Sequence, residues 1–337
     1  MALTKSTDSG ISQRTNVYAE RQMLKHAAPV MVLEKAGPLT KQMPKNKSAT
    51  IKFRRPKVFS AATTPLVEGV TPNTTAFEYE DVSATLAQYG MVVGITDVIE
   101  DTHEDPVLND ATVQAGENIG RTMEALNWAV LRAGTNVFYA NGAARASVNE
   151  PITLNKQRAV TRALKAQKAM KITRVLSPSP NYETRAIEAA FIGVAHTDLE
   201  ADLRGLPGFV PVAEYGSRQP ICDDEIGSVE DVRYLLSPDL DAFADAGGAK
   251  AGGSITAVST TGTSADVYPV LYFGKEAWAT VALRGQGAVA PSIIPVGQKT
   301  KDDPLGQRGY VGWKAWHVSK IVNENWMARL EVAVTDL

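Results

Sequence analysis

Asp101-Thr-His103-Glu-Asp105 is the densest gathering of groups in this sequence that could ligate a metal or move a proton. A metal centre needs a fixed ligand geometry and supporting hydrogen bonds. The same residues also suit a polar turn that caps a helix at Asp105-Pro106, and that is the stronger reading. A second candidate is Gly285-Gln-Gly287-Ala-Val-Ala290, which follows an apolar run as a dinucleotide-binding turn does. Such a turn works only where a helix begins and offers its N–H groups to a pyrophosphate. Pro291 and Pro295 prevent a long helix here, so a plain loop is expected. Cys222 stands beside Asp223, Asp224 and Glu225, whose field disfavours a thiolate. His26, His196 and His317 are scattered, and His196 precedes a helix cap, which gives it a local turn role. No Gly-x-Ser-x-Gly, Walker loop or His-Glu-x-x-His occurs. The chain is therefore expected to be no enzyme and to hold no cofactor and no metal.

Charge is sorted along the chain instead of gathered at one centre. From Lys35 to Val67 there are eight basic residues and no acid. From Glu68 to Gly120 there are eleven acids and no Lys or Arg. Pro151 to Tyr182 is basic again, with Lys156, Arg158, Arg162, Lys165, Lys168, Lys171 and Arg174. Blocks of this kind register protein surfaces on one another, or pair neighbouring strands within one subunit. The third block lacks interleaved aromatics, so base stacking is not indicated and a solvated helix face is the better reading.

The elements that must position these charges follow from periodicity. Residues 1–48 read as an arm, with short helical turns stopped at Gly37-Pro38. Ile51 and Phe53 alternate with Lys52 and Arg54, and Phe77 and Tyr79 alternate with Glu78 and Glu80. This predicts a β-hairpin with a charged ladder of opposite signs. Parity shifts near Val82 and again near Tyr89 predict bends in the return strand. The connection from Phe59 to Ala76 is about four times the usual hairpin loop, which points to a job outside its own hairpin. Val107, Ala111, Ala115, Ile119, Met123, Leu126 and Val130 lie at helical spacing and predict a long helix from Asp105 that ends at Gly134.

Beyond it the spacing predicts a strand at 136–139, a helix over 154–170 broken at Ser177-Pro-Ser-Pro180, and a buried strand at 189–195. A short capped helix follows from Thr197, then strands at 229–236, 267–273 and 279–283. Residues 238–266 and 284–308 read as loops. Tyr310–Ile321 and Trp326–Val334 read as a closing hairpin.

The 337 residues include 44% hydrophobic and 21% charged, enough for a real core. Net charge is -2, which argues against a globally basic nucleic-acid binder. A single cysteine rules out a disulfide framework and fits a reducing cytoplasm. The longest apolar runs are a few residues, as in Ala189-Ala-Phe-Ile192, too short to span a membrane.

Seven stretches carry a resemblance. They are Ile51-Lys-Phe-Arg-Arg55, Ala61-Ala-Thr-Thr-Pro-Leu-Val-Glu-Gly-Val-Thr-Pro72, Gln88-Tyr-Gly90 with Ile95-Thr-Asp97, Asp105-Pro-Val-Leu108, Ala133-Gly-Thr-Asn-Val-Phe-Tyr-Ala140 and Tyr272-Phe-Gly-Lys-Glu-Ala-Trp278. Together, and in this order, the sequence resembles tailed-bacteriophage major capsid proteins of the Hong Kong 97-like fold, in the branch of podophages that carry a virion RNA polymerase. The resemblance implies an α+β fold. It implies an N-terminal arm at 1–48, an extended loop at 49–90, a peripheral domain at 91–150 with its C-terminal strands at 309–337, and an axial domain at 151–308. It also implies hexamers and pentamers of this chain in an icosahedral head around double-stranded DNA bound without sequence specificity. The further partners implied are a portal protein and, since the arm is short, a separate scaffolding protein, with or without a decoration protein. Assembly in the host cytoplasm and a retained N-terminal arm are expected, with no membrane. An encapsulin-like compartment shares the fold, and a soluble enzyme with an unrecognised site is the remaining alternative.

On this reading the charge blocks mark contacts between subunits. Lys52 and Arg54 are expected to face Glu78 and Glu80 within the hairpin, with Glu68 in the loop. Arg55 and Lys57 are left over on the basic side, and Asp97, Glu100, Asp101, Glu104 and Asp105 on the acidic side, to meet across a neighbour.

Overall fold

The computed structural model describes residues 31–66, 68–69, 71, 73–102, 107–176, 184–216, 218–284, 289–299 and 301–337. From Met31 onward the arm is made of two short pieces. Leu33–Ala36 form one 3-10 turn, closed by Gly37 at φ 79°, and β1 (Leu39–Met43) follows. Val32, Leu33 and Ala36 are buried, so this end of the arm is part of the core.

The alternating segments form the expected hairpin. β2 (Thr50–Pro56) and β3 (Tyr79–Thr85) pair antiparallel, with Ile51 opposite Ala84 and Phe53 opposite Val82. The register from Tyr79 to Thr85 is unbroken, with no bulge at Val82 where a bend is expected; the second parity shift, near Tyr89, goes with a change of partner, since after Leu86 the chain leaves the hairpin as β4 (Ala87–Thr96) and joins a different sheet. α1 (Asp97–Thr102) follows where the sequence pointed only to a polar turn. The expected start of the long helix at Asp105, with His103 and Glu104, lies outside the described residues. α2 (Val107–Leu131) is a rod of roughly 37 Å. Its buried arc is wider than one stripe and rotated from the expected one. Ala115, Ile119 and Met123 are buried, but so are Glu124, Asn127 and Trp128, while Leu126 and Val130 are only half-buried. The helix lies in a corner between the arm and a sheet, so two sides of it are covered.

β5 (Val137–Tyr139) precedes α3 (Leu154–Ala166), whose Thr153 cap accepts the N–H of Lys156. α3 ends earlier than expected, with Lys168 in the left-handed region at φ 54°, and not at Ser177–Pro180, which lie outside the described residues. β6 (Ile172–Leu176) and β7 (Thr184–His196) follow, then α4 (Glu200–Arg204) and β8 (Phe209–Pro211). The single strand expected at 229–236 is two, β9 (Glu225–Val229) and β10 (Val232–Ser237), turned at Glu230 with φ 50°. β11 (Tyr268–Phe273) and β12 (Trp278–Leu283) form as expected. β13 (Val289–Ile294) forms inside the segment expected to be loop, as an edge strand where Pro291 is tolerated. β14 (Arg308–Ile321) and β15 (Met327–Val332) complete the chain.

The closing hairpin does not exist: β14 and β15 belong to different sheets. β14 is the hub of a five-stranded sheet. It pairs β12 along Trp278–Ala282 and holds β4 and β13 along its other half, with β1 parallel on β12. Gly90 and Gly312 let β4 lie close on β14; a Cβ at Gly90 would stand 2.6 Å from the Trp313 carbonyl oxygen. β15 lies between β5 and β11 in an eight-stranded mixed sheet ordered β5-β15-β11-β7-β10-β9-β8, with β6 also on β7. Both faces of that sheet are covered. Tyr268, Val270 and Tyr272 pack toward α3, and Leu271 and Phe273 toward Leu33, Trp128 and Trp278. This is why the strand reads as a continuous apolar run without alternation.

Residues 238–266 are not the free surface loop that their composition implied. Phe243 bridges Val267, Ala257 bridges Thr335, and Asp266 accepts the N–H groups of Asp245 and Thr260. Asp and Thr side chains here supply the hydrogen bonds that a strand ladder would otherwise provide.

Candidate subunit interface

The hairpin stem is charged on both strands, and its register decides which charges meet. Arg54 lies opposite Asp81, donating from Nε at 2.8 Å and from Nη2 at 3.0 Å. Arg55 lies opposite Glu80 at 2.7 Å, and Lys57 reaches Glu78 at 2.6 Å. The hydrogen bond between Lys57 and Glu78 raises the lysine pKa and lowers the carboxyl; Asp81 is held down by Arg54 in the same way. This corrects the pairing expected from alternation. Arg55 and Lys57 are matched inside their own hairpin, whereas Lys52 lies opposite Ser83 and has no ion pair among the described residues. Alternation gives the face of each residue but not its partner, which depends on where the two strands start pairing.

Beyond the stem the chain turns apolar and stays exposed. Val58, Phe59, Leu66, Phe77 and Tyr79 are all at least half open to solvent. Three of them form an aromatic ladder: Phe59 and Phe77 have ring centroids 5.9 Å apart, and Phe77 meets Tyr79 edge-on at 4.7 Å. Arg54 lies over the Tyr79 ring at 5.2 Å and ties the ladder to the stem. Glu68, farther along the loop, is exposed with no ion pair among the described residues. An exposed apolar cluster of this kind on a stiff stem marks a surface for a partner. Between stem and body lies an open groove of about 950 Å³, lined by Ile51, Lys52, Lys41, Lys168, Val322 and Trp326 among others.

The acidic candidates split. Glu104 and Asp105 lie outside the described residues. Asp97, Glu100 and Asp101 share α1, where the Asp97 carboxylate accepts the Val98 N–H at 2.8 Å. Glu100 is half-buried and its pKa is raised, first by burial and then by Asp101. None of the three has an ion pair among the described residues.

One functional residue escaped the sequence reading. Glu124, fully buried on α2, accepts the backbone N–H groups of Leu33 at 2.9 Å and Val32 at 3.2 Å. It pins the arm to the spine helix. A lone Glu in a helix surrounded by Ala, Leu and Met gives no local sign of burial. Desolvation raises its pKa from 4.5 to about 8, against the lowering effect of the two N–H groups. The folded state therefore keeps a proton that the unfolded chain releases. This contribution to stability is present below about pH 4.5 and is lost as pH rises through 8. Glu124→Gln is expected to remove that alkaline loss while holding the arm at neutral pH. Glu124→Ala, which strands two buried N–H groups, is expected to cost about 2–4 kcal/mol. Denaturant midpoints across pH 5–9 and proteolysis between Met31 and Leu39 measure both; equal behaviour of the two variants would refute the latch.

The reactive candidates are absorbed by structure. Burial, more than the neighbouring acids, pushes the Cys222 thiol up to about 11. His196 Nδ1 accepts the Asp198 N–H, the expected turn role. His317 is buried against the Asn127 side-chain oxygen at 2.8 Å, and burial lowers its pKa to about 4. Gly285 and Gly287 lie outside the described residues, and the segment after them is strand β13, not a helix start. Among the described residues no group of three or more His, Cys, Asp or Glu is placed to hold a metal ion, and no helix is long and apolar enough to cross a membrane. The basic helix α3 is partly neutralised from the β9–β10 turn, Arg158 by Glu230 and Lys165 by Asp231.

Residues 79–331 match the family model described as phage capsid protein. The chain belongs to the phage capsid protein family. No curated protein is similar enough in sequence to count as a relative. Solved structures similar in fold include the capsid of Ralstonia phage GP4, at 13% identity and TM-score 0.64, covering 98% of this chain and 96% of that one. The cyanophage Pam1 capsid is similar at 16% identity and TM-score 0.63 over 99% and 98%. The head of Helicobacter pylori bacteriophage KHP40 follows at 10% identity and TM-score 0.59 over 98% and 96%. The α+β architecture is thus the Hong Kong 97-like fold that the resemblance implied. This capsid protein is the major capsid protein of a tailed-phage head, part of the virion shell, and not an enzyme. In that setting the stem, aromatic tip and groove are surfaces of a protein that builds a shell from copies of itself.

Proposed function

We propose that this capsid protein assembles as hexamers and pentamers into an icosahedral head that encloses double-stranded DNA, each subunit laying its extended loop over an adjacent one. The observation that carries this reading is the division of labour in the hairpin. The stem pairs three of its four cations with its own acids, while the tip exposes an aromatic ladder that the described residues leave uncovered. Residues 1–48 act as the arm and 49–90 as the loop, with the body divided between the peripheral and axial roles. Val32 and Leu33 tie the arm to the spine helix through Glu124. The partners in this reading are a separate scaffolding protein, a portal and DNA packed without sequence readout, with assembly in the host cytoplasm. The seven stretches quoted above support the virion-RNA-polymerase podophage branch.

The test is imaging. Full-length protein made in a bacterial host is examined by cryo-electron microscopy, and heads from infected cells are examined with a nucleic-acid stain. Closed shells with hexamers and pentamers, and stained heads containing this chain, are expected. A chain that remains a small oligomer under all conditions, or shells filled with an enzyme and no DNA, would overturn the reading.

A further inference from the structure

The groove between the hairpin stem and the body has a charge that the subunit itself does not balance. Its lining includes six cations, Lys41, Lys52, Arg54, Arg55, Lys57 and Lys168, and only two acids, Glu80 and Glu276. The two arginines and Lys57 are matched across the stem. Lys41, Lys52 and Lys168 are exposed and have no ion-pair partner among the described residues. The floor beside them is apolar, with Ile51, Val82, Val322 and Trp326. An occupant should therefore bring acids next to an apolar group.

α1 offers that combination. Asp97, Glu100 and Asp101 have no ion pair among the described residues, and Val98 between them is 49% exposed. The other candidate from this chain, residues 1–30, carries Lys5, Arg14, Arg21 and Lys25 against Asp8 and Glu20, so like charge disfavours it. We propose that the groove of one subunit receives the acidic edge of α1 (Asp97, Glu100 and Asp101) from a second copy of this chain. The proposal rests on the shell-building reading above and names its contact. It replaces the pairing of Arg55 and Lys57 with a neighbour, because those two are already matched within the stem.

Two double variants of the full chain test it: Lys41→Glu with Lys52→Glu, and Glu100→Gln with Asp101→Lys. All four side chains are at least partly exposed, so each variant is expected to fold, which circular dichroism and a thermal scan check. Each variant alone should need at least about tenfold more protein than wild type to form capsomers and shells in sedimentation, since like charges then face each other. A single chain carrying all four substitutions should return to within about threefold of wild type, because every altered groove then meets an altered α1. If the lysine variant assembles as wild type does, the proposal is wrong. It is equally wrong if the combined variant is no better than either double variant, since the charges are then not in contact between copies. Normal shells that retain less DNA at raised salt would assign the lysines to phosphate instead and also overturn it. Should the α1 variant misfold, Asp101→Lys replaces it, both alone and in the combined variant. Failure of the wild-type chain to form any shell would count against the proposed function, not against this contact.

Discussion

Phe59→Ser combined with Phe77→Ser is expected to leave a folded subunit that assembles at least about a hundredfold less readily than wild type. The two rings are 54% and 55% exposed in the isolated chain. Covering the open half of a Phe ring removes roughly 100 Å² of apolar surface from water, at about 25 cal/mol per Å². Two rings together thus contribute about 5 kcal/mol per contact before ordering costs, and a hundredfold shift needs only about 2.7 kcal/mol. Folding is spared because Phe59 and Phe77 belong to none of the core clusters among the described residues and the stem keeps its three ion pairs. Phe59→Leu with Phe77→Leu keeps most of the apolar area and should assemble far better than the serine pair. The measurement is the protein concentration at which shells appear in sedimentation, beside a thermal scan of the unassembled subunit. Normal assembly by the serine variant would show that the ladder stays in solvent and that the loop lies elsewhere.

Glu331→Ala is expected to act on the subunit itself, with a loss of about 3–5 kcal/mol. Glu331 is fully buried on β15, and its carboxylate accepts from Arg145 at 2.7 and 2.8 Å. Arg329 Nε lies 2.9 Å from the same carboxylate, off the line of a good hydrogen bond, so that attraction is mainly Coulombic. The hydrogen bond to Glu331 raises the Arg145 pKa, whereas burial lowers that of Arg329. Both guanidiniums also lie over the Phe243 ring, Arg145 at 3.5 Å and Arg329 at 6.0 Å. Removing the one carboxylate leaves Arg329, 7% exposed, without a counter-charge. The damage falls where β5, β15 and β11 meet, so it should lower the denaturant midpoint of the whole subunit. Glu331→Gln, which keeps an acceptor without the charge, should lie between. A midpoint within error of wild type for the alanine variant would show that water already screens this cluster.

Much of the architecture was legible because its causes are local. Alternation at 50–56 and 79–85 is a property of neighbouring side chains on a pleated strand, and it produced the hairpin. Helical spacing over 107–131 produced the spine helix for the same reason. The exposed tip was legible only indirectly, through a loop too long for its own hairpin.

By itself, the sequence determined the hairpin strands, the spine helix and α3, the sorting of charge into blocks, the lack of a recognisable catalytic centre and, through seven short stretches, the capsid family, while α1 and β13 were read as turn and loop. Only the tertiary structure decided the partners. The register of β2 on β3 matched Arg55 and Lys57 within the stem and left Lys52 open. The separation of β14 from β15 into two sheets ruled out the closing hairpin, although both strands were foreseen. Glu124 became the latch for the arm because packing on two sides buried a residue whose neighbours looked like one stripe. The physical reason is common to all three. Backbone geometry makes a residue's face depend on its neighbours in the chain, whereas its partner depends on segments as far away as Leu39 is from Ala279, 240 residues, brought there by burial of the whole chain.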